Sequence, residues 1–147
     1  MRTIIFLNLI ALLAMAAPAA GRSHRTPQFV YAAGTEALPE GCEGKLELLQ
    51  TALVFECSQG RVTAPYTSIT LMQYHPKVSR EVRKMKLKWA VKPTSESSKH
   101  NLFFTLLFSV DGGTQAMILR VLPETMRPYL AEIELRTGHR VDVEQLY

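Results

Sequence analysis

Residues 84–92 read KMKLKWAVK, a stretch in which apolar and charged side chains alternate. Met85, Leu87, Trp89 and Val91 fall on one parity, and the four lysines fall on the other. Successive side chains of a β-strand point to opposite faces, so the alternation predicts a strand that buries one face and exposes a row of ammonium groups. We take the stretch as the fifth strand of a β-sheet and expect Trp89 in the core.

The sequence around this stretch predicts six further strands and one helix. The helix is expected at residues 126–137, with Thr125 as its N-cap, Pro128 in its first turn and Gly138 at its end. A DGG turn at residues 111–113 joins two of the strands, because Gly tolerates the positive φ that tight hairpins need. The six strands are expected at residues 45–49, 52–57, 61–64, 68–74, 102–110 and 114–121.

The composition is that of one globular domain. The chain has 147 residues, of which 47% are hydrophobic and 20% are charged, so it carries enough apolar side chains for an ordinary core. Its net charge of +4 is a smaller basic excess than a dedicated nucleic-acid-binding domain usually has. We therefore expect no nucleic-acid partner.

The N-terminus has the three parts of a secretory signal peptide. Arg2 supplies a positive charge, residues 4–17 form an apolar run interrupted only by Asn8, and residues 17–19 (APA) carry the small side chains that a signal peptidase recognises. We expect residues 1–19 to be removed and the mature protein to be secreted or periplasmic. An uncleaved membrane anchor is the alternative, although the apolar run is short for a span of about 20 residues.

The rest of the chain divides into a tether, a domain and a tail. Residues 20–40 hold Pro, Gly, Ser and Thr and only a short apolar patch at residues 29–31, which predicts a flexible tether. The domain then covers residues 41–138, and residues 139–147 form a short C-terminal tail. Within the domain, residues 102–110 are nearly all apolar, which predicts a strand that is buried on both faces or central in the sheet.

Cys42 and Cys57 are the two cysteines of the chain, and export places them in an oxidising compartment. In the first predicted hairpin, opposed residues have numbers that sum to 99, so Leu46 faces Leu53 and Cys42 faces Cys57. Opposed Cβ atoms lie about 4.5–5.5 Å apart, close to disulfide range. We expect a disulfide bond, with two buried free thiols as the alternative.

Seven short strands in a meander, closed by one amphipathic helix, resemble the pleckstrin-homology-like barrel and its GRAM-type relatives. The segments that carry the resemblance are GKLEL (44–48), LVF (53–55), PYTSI (65–69) and the helix at 126–137. The resemblance implies a mainly β fold: a seven-stranded antiparallel barrel or bent sandwich, capped by the C-terminal α-helix. Family members that bind phosphoinositides use a basic first hairpin loop, whereas the loop here is LQT (49–51), so no lipid-binding residue is carried over. A different small helix-capped β-barrel is the alternative fold.

No residues have the spacing of a catalytic, metal or cofactor site. The four histidines are placed in the tether, in loops or beyond the helix, and the sequence has no Gly-x-Ser-x-Gly, phosphate-loop or HExxH motif. Glu132 and Glu134 lie two apart on the predicted helix, so they point to different faces and cannot act as a pair. We expect no enzymatic activity, no metal and no cofactor.

The one concentrated charge of the chain is the basic group around the lysine-rich stretch, and only Glu81 interrupts it. A row of ammonium groups spaced about 6.6 Å apart would create a field that salt screens over roughly 8–10 Å. A solvated sheet face or a guarded edge strand is the alternative interpretation. The residues that we expect to face an anionic partner are Arg80, Arg83, Lys84, Lys86, Lys88 and Lys92.

These observations favour an exported, non-catalytic binding or scaffold module of the cell envelope, whose partner is an envelope protein or polymer. The alternative is peripheral binding of anionic lipid, or of lipopolysaccharide-type phosphates, through the basic strand face. The two hypotheses differ in what the mature protein does with anionic vesicles at low salt, since only the second predicts sedimentation with them.

Overall fold

The computed structural model describes residues 29–39, 42–89 and 102–144. Within these residues a single sheet contains nine strands, accompanied by helices α1 (Arg80–Arg83) and α2 (Pro123–Thr137). A 3₁₀ turn, Tyr66–Ser68, links two of the strands. The strands are β1 (Phe29–Gly34), β2 (Glu43–Leu48), β3 (Ala52–Cys57), β4 (Gly60–Pro65), β5 (Ile69–His75), β6 (Lys88–Trp89), β7 (Leu102–Val110), β8 (Gly113–Val121) and β9 (Asp142–Val143).

The sheet is mixed and open in the part of the chain that the structure describes. The strand order is β4-β3-β2-β1-β8-β7-β5-β9, and the short β6 also pairs with β1. Every pair is antiparallel except β5 with β9, which is parallel. The mainly β class with a C-terminal helix is therefore confirmed. The expected seven strands and the wholly antiparallel arrangement are corrected to nine strands with one parallel pair.

The β7–β8 hairpin is the longest ladder of the sheet and matches the sequence-based prediction. It runs from the pair Leu102–Val121 to the pair Val110–Gly113. The two residues of its turn, Asp111 and Gly112, have φ values of 50° and 77°, as a two-residue hairpin loop requires. β7 lies between β8 and β5 and contributes side chains to the apolar clusters on both faces of the sheet, so its predicted central position is confirmed.

β1 occupies a place that the sequence analysis assigned to the flexible tether. It lies between β2 and β8, and Phe29 and Tyr31 are 0% exposed. The domain therefore begins before residue 41. The sequence pattern of a strand is weak here because a bulge between Tyr31 and Ala33 breaks the two-residue period of the side chains. In addition, the ladder partner in β8 lies more than 80 residues away.

The lysine-rich stretch is not one continuous strand. Its first residues follow α1, and among residues 84–89 the pairing with β1 is limited to Lys88 and Trp89. Met85 and Leu87 are nonetheless half-buried, and the lysines between them are exposed. The alternation thus reports which side chains face the protein and not the backbone conformation. The expected core position of the Trp89 side chain, and residues 90–92, lie outside the described residues.

The first hairpin has a different register from the predicted one. Leu46 lies opposite Phe55 and not Leu53, so opposed residues have numbers that sum to 101. The turn is shifted by one residue along the chain, because the N–H of Leu49 donates to the carbonyl of Ala52 (2.9 Å) and closes the loop there. Leu49 is 47% exposed although it is apolar. Because of its apolar side chain, the prediction placed it in the strand and not in the turn. Since opposed partners shift by two residues, every side chain keeps its face.

Cys42 and Cys57 form a disulfide bond, with their Cα atoms 5.8 Å apart. Cys42 lies just before β2, and its carbonyl accepts a hydrogen bond from the N–H of Tyr31 in β1 (3.0 Å). The bond is therefore confirmed, although Gly44 and not Cys42 lies opposite Cys57 in the ladder. The disulfide ties together the entrance of β2 and the end of β3 beside β1.

Helix α2 packs on one face of the sheet, which we call the inner face. Met126 and Ile133 are 0% exposed, and the ring of Tyr129 meets that of Phe29 edge-on, with centroids 5.1 Å apart. The inner core draws side chains from β1 to β5, from β7 and β8, and from α2. The helix therefore covers the inner core, but it does not close a barrel, because the sheet is open among the described residues.

The bounds of α2 differ from the prediction at one end. The helix begins at Pro123 with Leu122 as its N-cap, and not after Thr125. Pro128 is therefore the sixth helical residue and lies beyond the first turn. Gly138, with a φ of 70°, ends the helix in the left-handed conformation, as predicted.

Candidate functional site

The predicted basic group lies on a segment that crosses the outer face of the sheet. We call residues 77–88 the basic segment; it leads from β5 through α1 to β6. Val78 and Val82, which are 6% and 2% exposed, pack against Ala32, Ala33 and Ile118 of the sheet. These apolar contacts fix one side of the basic segment to the sheet. The opposite side is free to carry charge.

Helix α1 is a single turn, and local hydrogen bonds define it. The hydroxyl of Ser79 accepts a hydrogen bond from the N–H of Val82 (3.4 Å), which is an N-cap. Arg83 N–H donates to the carbonyl of Ser79 (3.0 Å). Arg83 and Lys84 lie three and four residues after Arg80, so the turn brings their side chains to the side of Arg80.

Six cations on the basic segment face solvent, and one exposed acid, Glu81, accompanies them. None of the six takes part in an ion pair with another described residue. Five of the six predicted site residues are therefore brought together, but on a helical turn and a loop instead of a straight row. Lys92, the sixth, lies outside the described residues. The exposed cations are Lys77, Arg80, Arg83, Lys84, Lys86 and Lys88.

The chemistry of this surface is electrostatic attraction. Exposed ammonium and guanidinium groups keep their charge and donate hydrogen bonds to carboxylate, sulfate or phosphate oxygens. Among residues 29–39, 42–89 and 102–144, no three or more His, Cys, Asp or Glu side chains are arranged to hold a metal ion. The surface presents positive charge and hydrogen-bond donors to solvent.

The buried tyrosines serve the fold. The hydroxyls of Tyr31 and Tyr74 donate to the carbonyls of Glu36 (2.7 Å) and Val121 (3.1 Å). Burial raises the pKa of both phenols well above the ordinary value, with smaller contributions from Glu36 beside Tyr31 and from Glu124 beside Tyr74. Both phenols are therefore neutral hydrogen-bond donors at physiological pH.

A second feature, which was not predicted from the sequence, lies at the outer edge of β5. The tail residues Asp142 and Val143 form β9 and pair in parallel with Gln73 and Tyr74. Next to this pairing lies a cleft of about 280 Å³, lined by Ile69, Thr70, Leu71, Met72, Gln73, His139, Arg140 and Asp142. The alternation of the tail sequence was the available signal, but two residues are too few to identify a strand from sequence.

No protein-family model matches the chain, and no curated protein matches it at a significant level. In the part of the chain that the structure describes, neither helix is long and apolar enough to cross a bilayer. The Cys42–Cys57 disulfide is consistent with an oxidising, extracellular location.

Proposed function

We propose that this chain is an exported, non-catalytic binding module of the cell envelope that docks an acidic protein or polymer on the basic segment. The observation that carries the proposal is the six exposed cations of a segment whose other side is fixed by buried valines. A charged surface that is held in place loses less conformational entropy on binding than a disordered basic tail does.

Export rests on the N-terminal sequence and on the disulfide. Residues 4–17 are apolar, Arg2 precedes them, and small residues follow at 17–19. The Cys42–Cys57 bond supports the same compartment, since such bonds persist in oxidising environments.

The fold part of the proposal is a pleckstrin-homology-like arrangement of strands and C-terminal helix, with a sheet that is open among the described residues. Its support is a sheet with one C-terminal helix packed on its inner core, and with β1 joining the β2–β3–β4 meander to β8, β7 and β5. The rival, another helix-capped β fold, differs in connectivity. An experimental structure of the mature protein distinguishes the two by its strand order.

The binding proposal is tested by charge reversal. In a variant with Lys84→Glu, Lys86→Glu and Lys88→Glu, we expect affinity for an immobilised acidic polymer such as polyglutamate to fall about 100-fold at low salt. Each exposed pair contributes up to about 1 kcal/mol, and three charges are inverted. The measurement is surface plasmon resonance on the oxidised mature protein at two salt concentrations.

The matched control reverses Lys45, Arg61 and Arg127, which are exposed elsewhere on the molecule. The control makes the same change in net charge, so it is expected to keep most of the affinity. An equal loss in both variants would show that net charge alone drives binding and would contradict a site on the basic segment.

Anionic lipid is the second candidate, because an anionic membrane surface attracts each nearby Lys or Arg with about 1 kcal/mol. The same six exposed cations would supply this attraction. Mature protein is mixed with phosphatidylglycerol vesicles or with phosphatidylcholine vesicles and sedimented at low and physiological salt. Sedimentation with the first only, lost on charge reversal, supports the lipid candidate, and no sedimentation at low salt eliminates it.

A further inference from the structure

The edge of β5 is only partly covered in the described part of the chain. On one side, β7 pairs with β5 from Ile69 to His75. On the other side, β9 pairs only with Gln73 and Tyr74. The edge from Ile69 to Met72 faces the cleft of about 280 Å³, which the chain between α2 and β9 borders with His139 and Arg140.

Strand β9 indicates what kind of segment this edge accepts. The N–H of Glu144 donates to the carbonyl of Tyr74 (3.2 Å), which continues the ladder. The Nε2 atom of His75 lies 3.0 Å from Oδ2 of Asp142, without the alignment of a hydrogen bond, and its Nδ1 atom lies 4.0 Å from Oε2 of Glu144. The occupant is thus an extended acidic–apolar–acidic segment, held by backbone bonds, with its two carboxylates beside the side chain of His75.

The open half of the edge offers similar groups. The N–H and C=O of one residue point to the same side of a strand, and this side alternates along the strand. Because the carbonyl of Tyr74 points to β9, the backbone groups of Met72 point to the same side. The parallel register places the Met72 carbonyl against the N–H of Asp142 and leaves the Met72 N–H directed at the cleft. The Oε1 atom of Gln73, also in the lining, is buried without a hydrogen-bond partner among the described residues.

The charge of the open half favours an anionic occupant. Arg140 is exposed and forms no ion pair with another described residue, whereas Asp142, the acid of the lining, already lies beside His75. The volume is slightly below the range of about 300–1,000 Å³ that is usual for small-molecule sites. It suits a few residues of extended chain, the mode in which a peptide adds a strand to an exposed sheet edge.

We propose that the open half of the β5 edge binds an extended acidic segment of a partner polypeptide, which continues the ladder that β9 begins. A backbone hydrogen bond from the N–H of Met72 aligns the segment, and Arg140 selects acidic side chains. This site is distinct from the basic segment and does not depend on what the basic segment binds.

The test uses the oxidised mature protein and a fluorescein-labelled peptide of alternating Val and Glu. We expect binding by fluorescence anisotropy, and a matched peptide of alternating Val and Lys should bind at least about tenfold more weakly, because it places like charges beside Arg140. Saturation with the Glu peptide should slow hydrogen exchange at the Met72 amide, which NMR measures on the unmodified protein. Equal binding of the two peptides, or unchanged exchange at Met72, would overturn the proposal.

Two single substitutions of exposed arginines locate the site. Arg140→Glu should weaken binding of the Glu peptide about tenfold, since it inverts the charge beside the peptide. Arg83→Glu, the same change on the basic segment, should alter the affinity by less than about twofold, since Arg83 is not part of the cleft lining. A larger loss from Arg83→Glu than from Arg140→Glu would assign the peptide to the basic segment and refute the cleft as its site.

Discussion

At the scale of single residues, two glycines let neighbouring groups approach the backbone closely, and this decides how the strands pack. A Cβ atom added at Gly44 would overlap the backbone carbonyl of Glu56 in β3, and one added at Gly34 would overlap the hydroxyl of Tyr31. Both glycines lie in strands, where Gly normally weakens the structure. Glycine stands at both positions because the neighbouring groups leave no room for a Cβ atom. The local sequence does not show this lack of room.

The close approach at Gly44 makes a stability prediction. Gly44→Ala should lower the free energy of unfolding by about 1–3 kcal/mol, because the neighbouring backbone must move to admit the methyl group. Gly113→Ala is the matched control: its Cβ would meet the carbonyl of Val110 at 3.5 Å, an ordinary contact, so a change within about 0.5 kcal/mol is expected. Urea denaturation compares the two, and equal effects would contradict the overlap.

The buried phenols predict how stability depends on pH. Burial raises the pKa of Tyr31 and Tyr74 in the folded state above the value of about 10 that they have when unfolded. The folded protein then holds more protons than the unfolded chain above about pH 10, so the contribution is complete below that pH and is lost as pH rises towards the folded pKa. We expect the free energy of unfolding to fall steeply above about pH 10.

Tyr74→Phe isolates one of these phenols. At neutral pH it should cost about 1 kcal/mol, the usual contribution of a hydrogen bond such as the one to the Val121 carbonyl. The same substitution should make the alkaline loss of stability shallower, because one titrating group is removed. Denaturation at pH 8 and at pH 11 measures both effects, and an identical slope in the two proteins would contradict the assignment.

At the scale of elements, β1 is the strand on which the two halves of the sheet depend. It pairs with β2 on one side and with β8 on the other, and Ala33 and Gly34 also pair with β6. Without β1, the β2–β3–β4 meander and the β8–β7–β5 group would share no ladder in the described residues. An element that looked like a tether in sequence therefore joins the sheet.

This position of β1 predicts the effect of truncation. A chain that begins at residue 41, the domain boundary expected from sequence, should not fold cooperatively, because it lacks the buried side chains of Phe29 and Tyr31 and both ladders. A chain that begins at residue 20 should fold. Thermal unfolding followed by near-UV circular dichroism compares them, and a cooperative transition in the shorter chain would contradict the central role of β1.

At the scale of the whole molecule, the sheet separates the core from the candidate binding surface. Helix α2 covers the inner face, and the basic segment lies on the outer face with its valines in a smaller apolar cluster. Charge reversal on the basic segment therefore leaves the inner core untouched. This separation is why binding and stability can be measured independently in the variants proposed above.

The two ends of the sheet differ in their protection. β4 ends at Pro65, which cannot donate a hydrogen bond, and carries the exposed Arg61, two features that discourage pairing with another chain. At the other end, in the described part of the chain, β9 pairs with two residues of β5, and the edge from Ile69 to Met72 borders the cleft instead of a strand. The proposed peptide site lies at this less protected end.

Local pattern alone determined a large part of this protein. Residues close in sequence predict the DGG turn, the central apolar strand β7 and the end of α2 at Gly138. The Cys42–Cys57 bond was also predicted, because a shift of the register by two residues keeps each side chain on its face of the hairpin. Hydrophobic alternation at residues 84–88 correctly identified which side chains face solvent. These are Lys84, Lys86 and Lys88, and Arg80 and Arg83 lie close to them in sequence. Local sequence is therefore sufficient to identify five of the six exposed cations of the basic segment as a candidate surface.

Only the tertiary structure decided the role of β1, the helical turn within the basic segment and the pairing of β9 with β5. Each depends on a partner far away in sequence: β8 for β1, the outer sheet face for α1, and β5 for β9. The alternation of buried and exposed side chains along a strand is visible in the sequence. Which distant strands pair depends on which surfaces meet after the chain has folded. The sequence therefore determined the buried faces of the predicted strands, and the tertiary structure determined which strands are neighbours and brought Phe29 and Tyr31 into the core.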